Sequence, residues 1–348
     1  MAMEKKRYSK RIPFLFLYPN FFKLLRVNDS MKKLHFIFLL MISTHSISQK
    51  IDNMASFRDV KSDNYFRFHY DNDYFTAFDQ YYTQGYNFEF VSRRLQQNPA
   101  NYIFVKPKRS EFKYGIAVEH IGFTPTSIKS DFIRYGDRPF AAAIMLKSFS
   151  IATDTIRKSR FISSLHIGLI GPGAFGMEMQ KGIHEWVGDD IPLGWQYQIK
   201  NDIVLNYEIN YEKQLVRWGN FFALQSNAAV RIGTLFTNMS VGFNATLGLI
   251  NAPFSSLKQK NNFQLYIYSQ PIVNFIGYDA TLQGGIFNNR SPYTSPNSDV
   301  ERITAQDNFG IVMQYRSLYL EYTRTLITRE FATGSSHKWG GIRIGFKL

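Results

Sequence analysis

A two-residue alternation of apolar and polar side chains limits the folds open to this chain more than any other feature of its sequence. In residues 203–212, apolar or aromatic side chains at odd positions alternate mostly with Asn and Glu, and residues 237–247 repeat the pattern. Such alternation predicts β-strands with one apolar and one polar face. The segments reach ten to fifteen residues and carry aromatic residues near their ends, which is typical of a transmembrane barrel with lipid on its outside.

We therefore predict an all-β protein, a transmembrane antiparallel up-and-down β-barrel with a short helix in an extracellular loop. An even number of strands is typical of bacterial barrels. No 18-residue apolar run follows residue 48, so membrane-spanning helices are excluded. Connections 94–110 and 250–261 would be periplasmic and longer than usual. The twelve predicted strands are 63–74, 83–93, 111–123, 138–151, 161–171, 196–212, 218–232, 235–249, 262–277, 301–316, 318–330 and 337–348.

The amino-terminal segment has the pattern of an export signal. Lys32 and Lys33 precede an apolar core at residues 34–42, and Ser46-Ile47-Ser48 supplies the small residues of a cleavage site. This pattern predicts a signal peptide at residues 31–48 and a mature chain beginning at Gln49. Residues 1–30 would then be an upstream extension from a mis-assigned start codon, and residues 49–348 would form the barrel.

Composition excludes several classes of function. The chain has no cysteine, which rules out disulfides, zinc–thiolate sites, thiol nucleophiles and a lipid-anchored cysteine. Residues 1–48 hold nine Lys and Arg against two Asp and Glu, so their removal lowers the net charge from +14 to +7. No concentrated basic stripe remains, and we expect no nucleic-acid binding. Aromatic residues make up 16% of the chain, yet its mean hydropathy is only −0.24. This combination indicates strands with one apolar face and one polar face.

The stretch 171–198 interrupts this strand-dominated sequence. Gly171-Pro172-Gly173 should end the preceding strand, and residues 177–187 read as a short helix with Gln180 and His184 on one face. Taken alone, this pattern fits an ordinary surface helix. Counting strands places three loops at the outer rim of the barrel. Those loops would bring together Asn72, Asp73, Thr83, Lys129, Gln180, His184 and Asp190.

His184 is the candidate general base, because imidazole titrates near neutral pH. Asp190 follows it by six residues and could orient the ring, with Asp189 and Glu185 as alternatives. Such a pair could deprotonate a water molecule without a serine nucleophile. The Gly-x-Ser-x-Gly elbow is absent, and the second histidine of a zinc-protease helix is absent too.

Two further clusters have competing interpretations. Asp71-Asn72-Asp73 resembles part of an oxygen-ligand cation site, but it lacks the spacing of an EF-hand and could simply form a turn. Lys129 and Arg134 could contact phosphates of a substrate, or could only bridge anionic lipopolysaccharide.

Several short motifs together match a known family in order and spacing. The chain resembles the outer-membrane lipid A 3′-O-deacylases over residues 63–348. The matching stretches are Asn72-Asp73, Tyr81-Tyr82-Thr83-Gln84-Gly85, Gly136-Asp137-Arg138-Pro139-Phe140, Ile170-Gly171-Pro172-Gly173-Ala174, Gln180, His184, Gly194-Trp195-Gln196-Tyr197-Gln198, Thr281-Leu282-Gln283-Gly284 and Glu330-Phe331.

This resemblance implies a calcium-dependent hydrolase that removes the ester-linked acyloxyacyl chain at the 3′ position of lipid A. His184 would activate water, Asn72, Thr83 and Gln180 would belong to the active site, and Asp73 would hold calcium. Asn72 or the metal would stabilise the oxyanion.

The resemblance also implies where substrate and enzyme meet. Asp190 stands where the family has Glu as the partner of the histidine, and the family's substrate-binding loop residues map loosely onto Ser127, Lys129 and Ser130. We expect a monomer in the outer membrane of a Gram-negative cell, facing lipopolysaccharide in the outer leaflet. The alternatives are a non-enzymatic barrel, acting as a pore or adhesin, and an outer-membrane phospholipase.

Overall fold

The computed structural model describes residues 60–76, 80–255 and 263–348. The predicted signal peptide and upstream extension lie outside these described residues. Twelve antiparallel strands form a closed barrel in which each strand pairs with its neighbours in sequence and β12 pairs with β1. This confirms the fold class that the alternation predicts. The strands are β1 (Tyr65–Asn72), β2 (Tyr81–Val91), β3 (Glu111–Thr124), β4 (Ala141–Asp154), β5 (Ser159–Ile170), β6 (Asp202–Trp218), β7 (Phe222–Gly233), β8 (Phe236–Leu249), β9 (Phe263–Asp279), β10 (Ile303–Tyr315), β11 (Leu318–Ile327) and β12 (His337–Lys347).

Each predicted strand overlaps one observed strand, and the largest shift is at β6, predicted at 196–212. At its start, residues Gly194–Tyr197 form a 3-10 turn instead of a strand. Near its end, a β-bulge between Gln214 and Val216 shifts the register. A bulge inserts one residue and so reverses the alternation beyond it. The sequence pattern therefore stops signalling a strand before the strand itself ends.

The two faces of the barrel wall differ in the way that the alternation predicts. Leu146 on β4 is 56% exposed on the outside, whereas its neighbour Lys147 points inward and is 2% exposed. Inward charges are paired across strands: Lys147 Nζ lies 2.6 Å from Glu119, and Arg67 Nη2 lies 2.9 Å from Glu89. Pairing is what makes charged groups tolerable away from water. The interior is thus a packed network of ion pairs.

Two α-helices occur among the described residues, α1 (Gly176–Val187) and α2 (Ala280–Gln283). The predicted loop helix is confirmed as α1. No helix in the described part of the chain is long and apolar enough to span a membrane.

The long connection between β2 and β3 folds back along the outside of the wall. It contains two 3-10 turns, Arg93–Gln97 and Pro99–Ile103. Asn98 Nδ2 donates to Ser148 Oγ on β4 at 3.1 Å, and the amide of Val105 donates to Ser163 Oγ on β5 at 3.2 Å. The connection therefore supplies hydrogen bonds to outward serines that would otherwise face lipid, which gives a physical reason for its length.

Replacing Lys147 with Met should destabilise the barrel by about 3–5 kcal/mol, because it removes one member of the buried ion pair with Glu119. The Leu146→Met variant changes the adjacent, outward residue and should cost less than about 1.5 kcal/mol. Urea unfolding in detergent micelles, followed by tryptophan fluorescence, measures both. Equal losses in the two variants would contradict the interior ion-pair network.

Candidate functional site

The site lies on the outward face of the wall, at the end predicted to face the cell exterior. Pairing of β1 to β4 aligns Asn72, Gln84, Gly122 and Ala142 in one row across the ends of these strands. This row shares its face with the exposed Leu146 four residues further along β4. Polar residues of the row therefore stand on the same side of the wall as the apolar residues that contact lipid.

A β-bulge in β2 builds the centre of the row. The register shifts between Tyr82 and Gln84, so Thr83 is an extra residue opposite β3. Gly122 makes room for it: a Cβ there would lie 3.3 Å from Gln84 Cγ and 3.5 Å from Thr83 Cγ2. Bulges commonly re-aim a side chain next to a functional site. Here the bulge directs both Thr83 and Gln84 toward the outer face.

Asn72 is fixed beside this bulge by its own side-chain amide. Asn72 Nδ2 donates to the Thr83 carbonyl at 2.8 Å, and Asn72 Oδ1 accepts from the amide of Tyr74 at 2.8 Å. The first bond links the end of β1 to the bulge in β2, and the second fixes the side-chain amide against the turn that follows β1. The predicted pairing of Asn72 with Thr83 is thus a direct contact.

Helix α1 packs over the row from outside. Gly171 ends β5 with a φ of +110°, a left-handed backbone value that favours glycine, and a Cβ there would lie 2.6 Å from the Asn201 amide nitrogen. At the start of α1, a side chain on Gly176 would overlap Ala142 and approach Trp195 to 2.8 Å. The two glycines allow the turn and the close packing of α1. The buried apolar cluster beneath it contains Ile128, Phe140, Ala142, Ala174 and Trp195.

Gln180 connects α1 to the bulge. Its Nε2 donates to Thr83 Oγ1 at 3.2 Å, and its Oε1 accepts from Trp195 Nε1 at 2.7 Å. The side chain is 2% exposed, so both bonds are shielded from water and hold the amide in one orientation. Trp195 belongs to the matching motif at residues 194–198, but the sequence did not predict that it orients Gln180.

His184 follows Gln180 by one helical turn and is 14% exposed at its side chain. Its Nδ1 lies 2.6 Å from the backbone carbonyl of Asp190. A carbonyl oxygen can only accept, so this contact assigns the proton to Nδ1 and leaves Nε2 as a proton acceptor. The carboxylate of Asp189 lies 4.0 Å from the same nitrogen. Main-chain and carboxylate oxygens together therefore surround the protonated side of the ring.

The carboxylate of Asp190 points elsewhere, to Lys129, with which it forms an ion pair. The side chains of both residues are more than half exposed. Ser127 accepts from the Lys129 amide at a long 3.4 Å. The third predicted partner of His184, Glu185, is exposed on α1. Of the three acidic candidates, Asp190 contacts the ring through its backbone and Asp189 approaches it through its carboxylate.

Asp73 begins a 3-10 turn, Asp73–Thr76, next to Asn72 and is 5% exposed. Its carbonyl accepts from Thr76 Oγ1 at 2.9 Å. No cluster of three or more His, Asp or Glu side chains occurs within the described ranges. The donors that are present at this corner, a carboxylate, an amide oxygen and a hydroxyl, are of the hard oxygen type that calcium accepts. The donor chemistry thus fits calcium.

Other motif residues lie away from this site and tie the outer loops together. Arg138 forms a buried ion pair with Glu330 and donates to Thr281 Oγ1 at 2.6 Å. Tyr293 donates to the Asp137 carbonyl at 2.8 Å, and burial raises the pKa of Tyr293 so that the phenol keeps its proton. Sequence alone cannot separate such loop-bracing residues from catalytic ones.

The comparisons with known proteins establish the family of this chain. The family model described as outer membrane protein LpxR matches residues 34–348. The chain belongs to the LpxR family. The family predicted from the motifs is thereby confirmed, and the family and the closed barrel place the protein in the outer membrane.

Among solved structures, LpxR from Salmonella typhimurium is similar with a TM-score of 0.68 and 17% identity, over 82% of this chain and 100% of that chain. This likeness shows the fold. The β domain of the Bordetella autotransporter BrkA gives a TM-score of 0.46 and 6% identity, over 83% of this chain and 100% of that chain. A search of curated protein sequences finds no significant match.

A Gly176→Val substitution should loosen α1 from the wall, since the new side chain would overlap Ala142 and crowd Trp195. We expect faster amide hydrogen exchange throughout α1. In the control Gly182→Ala, a Cβ meets nothing within 4 Å, so exchange should be unchanged or slower, because alanine favours a helix by about 1 kcal/mol. Normal protection of α1 in Gly176→Val would show that the close contact is unnecessary.

Proposed function

We propose that the protein is an outer-membrane esterase that hydrolyses the 3′-linked acyloxyacyl chain of lipid A. The carrying observation is the position of His184, with Nε2 as acceptor, above a polar row on the lipid side of the barrel wall. A lipid of the outer leaflet presents its ester bonds at this depth, between headgroup and hydrocarbon. Family membership supports the same reaction.

In the proposed mechanism, His184 Nε2 removes a proton from a water molecule as the water attacks the ester carbonyl. The bond from Nδ1 to the Asp190 carbonyl holds the ring in the required tautomer. The carboxylate of Asp189 lies 4.0 Å from the same nitrogen, on the side of the ring that faces away from the attacking water. His184 then returns the proton to the sugar oxygen as the ester C–O bond breaks. The products are a free carboxylic acid and a lipid with a free hydroxyl group.

Asn72, Thr83 and Gln180 would orient the ester beside this base. The Thr83 hydroxyl is already held by Gln180, and Gln180 is held by Trp195, so the polar surface is rigid before substrate binds. A rigid arrangement avoids reorganisation during the reaction.

Calcium is part of the proposal, with Asp73 as its carboxylate ligand. The chemistry that calcium supplies when bound is stabilisation of negative charge on the ester oxygen. The oxygen donors at Asn72 and Thr83 suit such an ion. Asn72 keeps its second proposed role as an oxyanion donor through its amide.

Lys129 and Ser127 would bind the polar part of the lipid. The ion pair of Lys129 with Asp190 is solvent-exposed, and exposed pairs contribute little energy. A phosphate group could therefore replace Asp190 as the partner of Lys129 at little cost. This exchange would couple headgroup binding to the loop that holds His184.

The packed interior argues against a pore. Lys147, Glu119, Arg160 and Arg343 all lie within the barrel and are at most 3% exposed, so water has almost no access to these charged interior groups. A phospholipase would use the same histidine and water, so it differs from our proposal only in the lipid that is cleaved.

Substituting His184 with Ala should lower the deacylation rate at least about 100-fold, because a general base typically contributes that much. Mass spectrometry of lipid A from cells that express each variant measures the loss of the 3′ acyloxyacyl chain. Glu185→Gln, on the same exposed turn of α1, is the matched control and should remain active. An identical acylation pattern with the native chain and with His184→Ala would refute the deacylase, and release of fatty acid from glycerophospholipid alone would identify a phospholipase.

Chelation by EDTA should abolish the activity of the purified protein in micelles, and added calcium should restore it while zinc should not. The site offers oxygen donors of the kind that calcium prefers, whereas zinc prefers His and Cys. The Asp73→Asn variant should need more calcium for half-maximal rate. Full activity in EDTA would remove calcium from the mechanism.

A further inference from the structure

A second row of outward side chains lies one step nearer the membrane centre than the catalytic row. It contains Tyr70 of β1, Tyr86 of β2, His120 of β3 and Ile144 of β4. Tyr70 and Tyr86 stack with ring centroids 4.9 Å apart, and the ring of His120 is 6.3 Å from that of Tyr86. The row below it is wholly apolar, consisting of Phe68, Phe88, Val118 and Leu146. Among the outward side chains of these rows, His120 is thus the last that bears a nitrogen before the apolar row begins.

His120 and Gln84 are buried, and three of their nitrogen atoms have no hydrogen bond to the described part of the protein. They are 4% and 1% exposed, and neither ring nitrogen of His120 nor Nε2 of Gln84 has a partner there. The backbone of Ala174 approaches the ring without reaching hydrogen-bond geometry with either nitrogen. Buried polar groups are nearly always bonded, so three such atoms on one face require a reason.

The two side chains occupy diagonal positions on paired strands. Gln84 is opposite Gly122, and His120 is two residues before Gly122 on the same face of β3. Diagonal neighbours on paired strands are within reach of long side chains. Both can donate an N–H, so they match one acceptor oxygen between them. Neither row contains Asp, Glu, Lys or Arg, and a neutral oxygen therefore suits them better than a phosphate.

We propose that Gln84 and His120 form an acyl-oxygen subsite that binds an oxygen substituent on the acyl chain and selects chains oxygenated near their carboxyl end. This inference rests on the proposed function. An acyl chain whose ester lies in the catalytic row must run down past the second row to reach lipid. Successive outward residues of one strand are about 6.7 Å apart. An oxygen on the third carbon of the chain falls within that span.

Two synthetic glucosamine esters test the subsite. One carries a 3-hydroxytetradecanoyl chain on the sugar 3-oxygen, and the other carries a tetradecanoyl chain at the same position. The variants are His120→Phe, which keeps the ring volume but removes the nitrogens, and His120→Gln, which keeps a donor. Val118→Ile, on the same face one row deeper, is the control. The folded fraction of each variant is measured from heat-modifiable gel migration.

We expect His120→Phe to lower kcat/KM for the hydroxylated ester about tenfold, the size that one hydrogen bond carries. Its rate with the plain ester should change less than about twofold. His120→Gln should retain most of the preference, and Val118→Ile all of it. Parallel losses with both esters would overturn the proposal, because they would show that His120 acts on the reaction itself or on the docking of α1. An unchanged preference would overturn it as well.

A binding measurement separates this inference from the proposed function. The two chains are linked to glucosamine through an amide that the enzyme cannot cleave, and native mass spectrometry counts the complexes released from micelles. If the native protein cleaves neither ester, the esterase proposal fails. A preference for the hydroxylated amide that disappears in His120→Phe still supports the subsite, and equal binding of both amides overturns it.

Discussion

In the hydrocarbon of a membrane, every backbone N–H and C=O must find its partner within the protein, and a closed barrel satisfies this demand without edges. The closure of β12 onto β1 is therefore the condition for everything else in the structure. It fixes which side chains face lipid and which face inward. It also means that any polar group on the outer face must be covered or used, because the surrounding lipid offers it no hydrogen bonds.

Two segments of this chain cover polar patches on the outer face. The connection between β2 and β3 bonds to Ser148 and Ser163 near one end of the wall, and it leaves those serines satisfied. Helix α1 covers the row at the opposite end but leaves Gln84 Nε2 and both ring nitrogens of His120 without bonds to the described residues. A segment packed on the outer face thus stabilises the wall at one end and, in our proposal, forms part of the substrate site at the other.

The barrel was predictable because the two-residue alternation persists through most of each strand and is interrupted by register shifts near Thr83, Gln214 and Thr237. The loop helix and the grouping of Asn72, Thr83, Gln180 and His184 followed from turn signals, strand parity and family motifs. Side-chain direction did not follow. That Asp190 offers its carbonyl to His184 and its carboxylate to Lys129 depends on loop geometry. His120 could have been noticed, as a polar residue that continues the outward apolar series of β3.

The bulge at Thr83 makes one part of the site independent of the pairing that closes the barrel. It adds one residue to β2 without a counterpart on β3, and pairing is regular on both sides of it. Loss of a single codon there would restore an uninterrupted ladder and remove the hydroxyl to which Gln180 donates. Such a deletion would take one hydroxyl out of the polar outer surface, while Asn72, Gln84 and the wall that carries the protein in the membrane would remain in place.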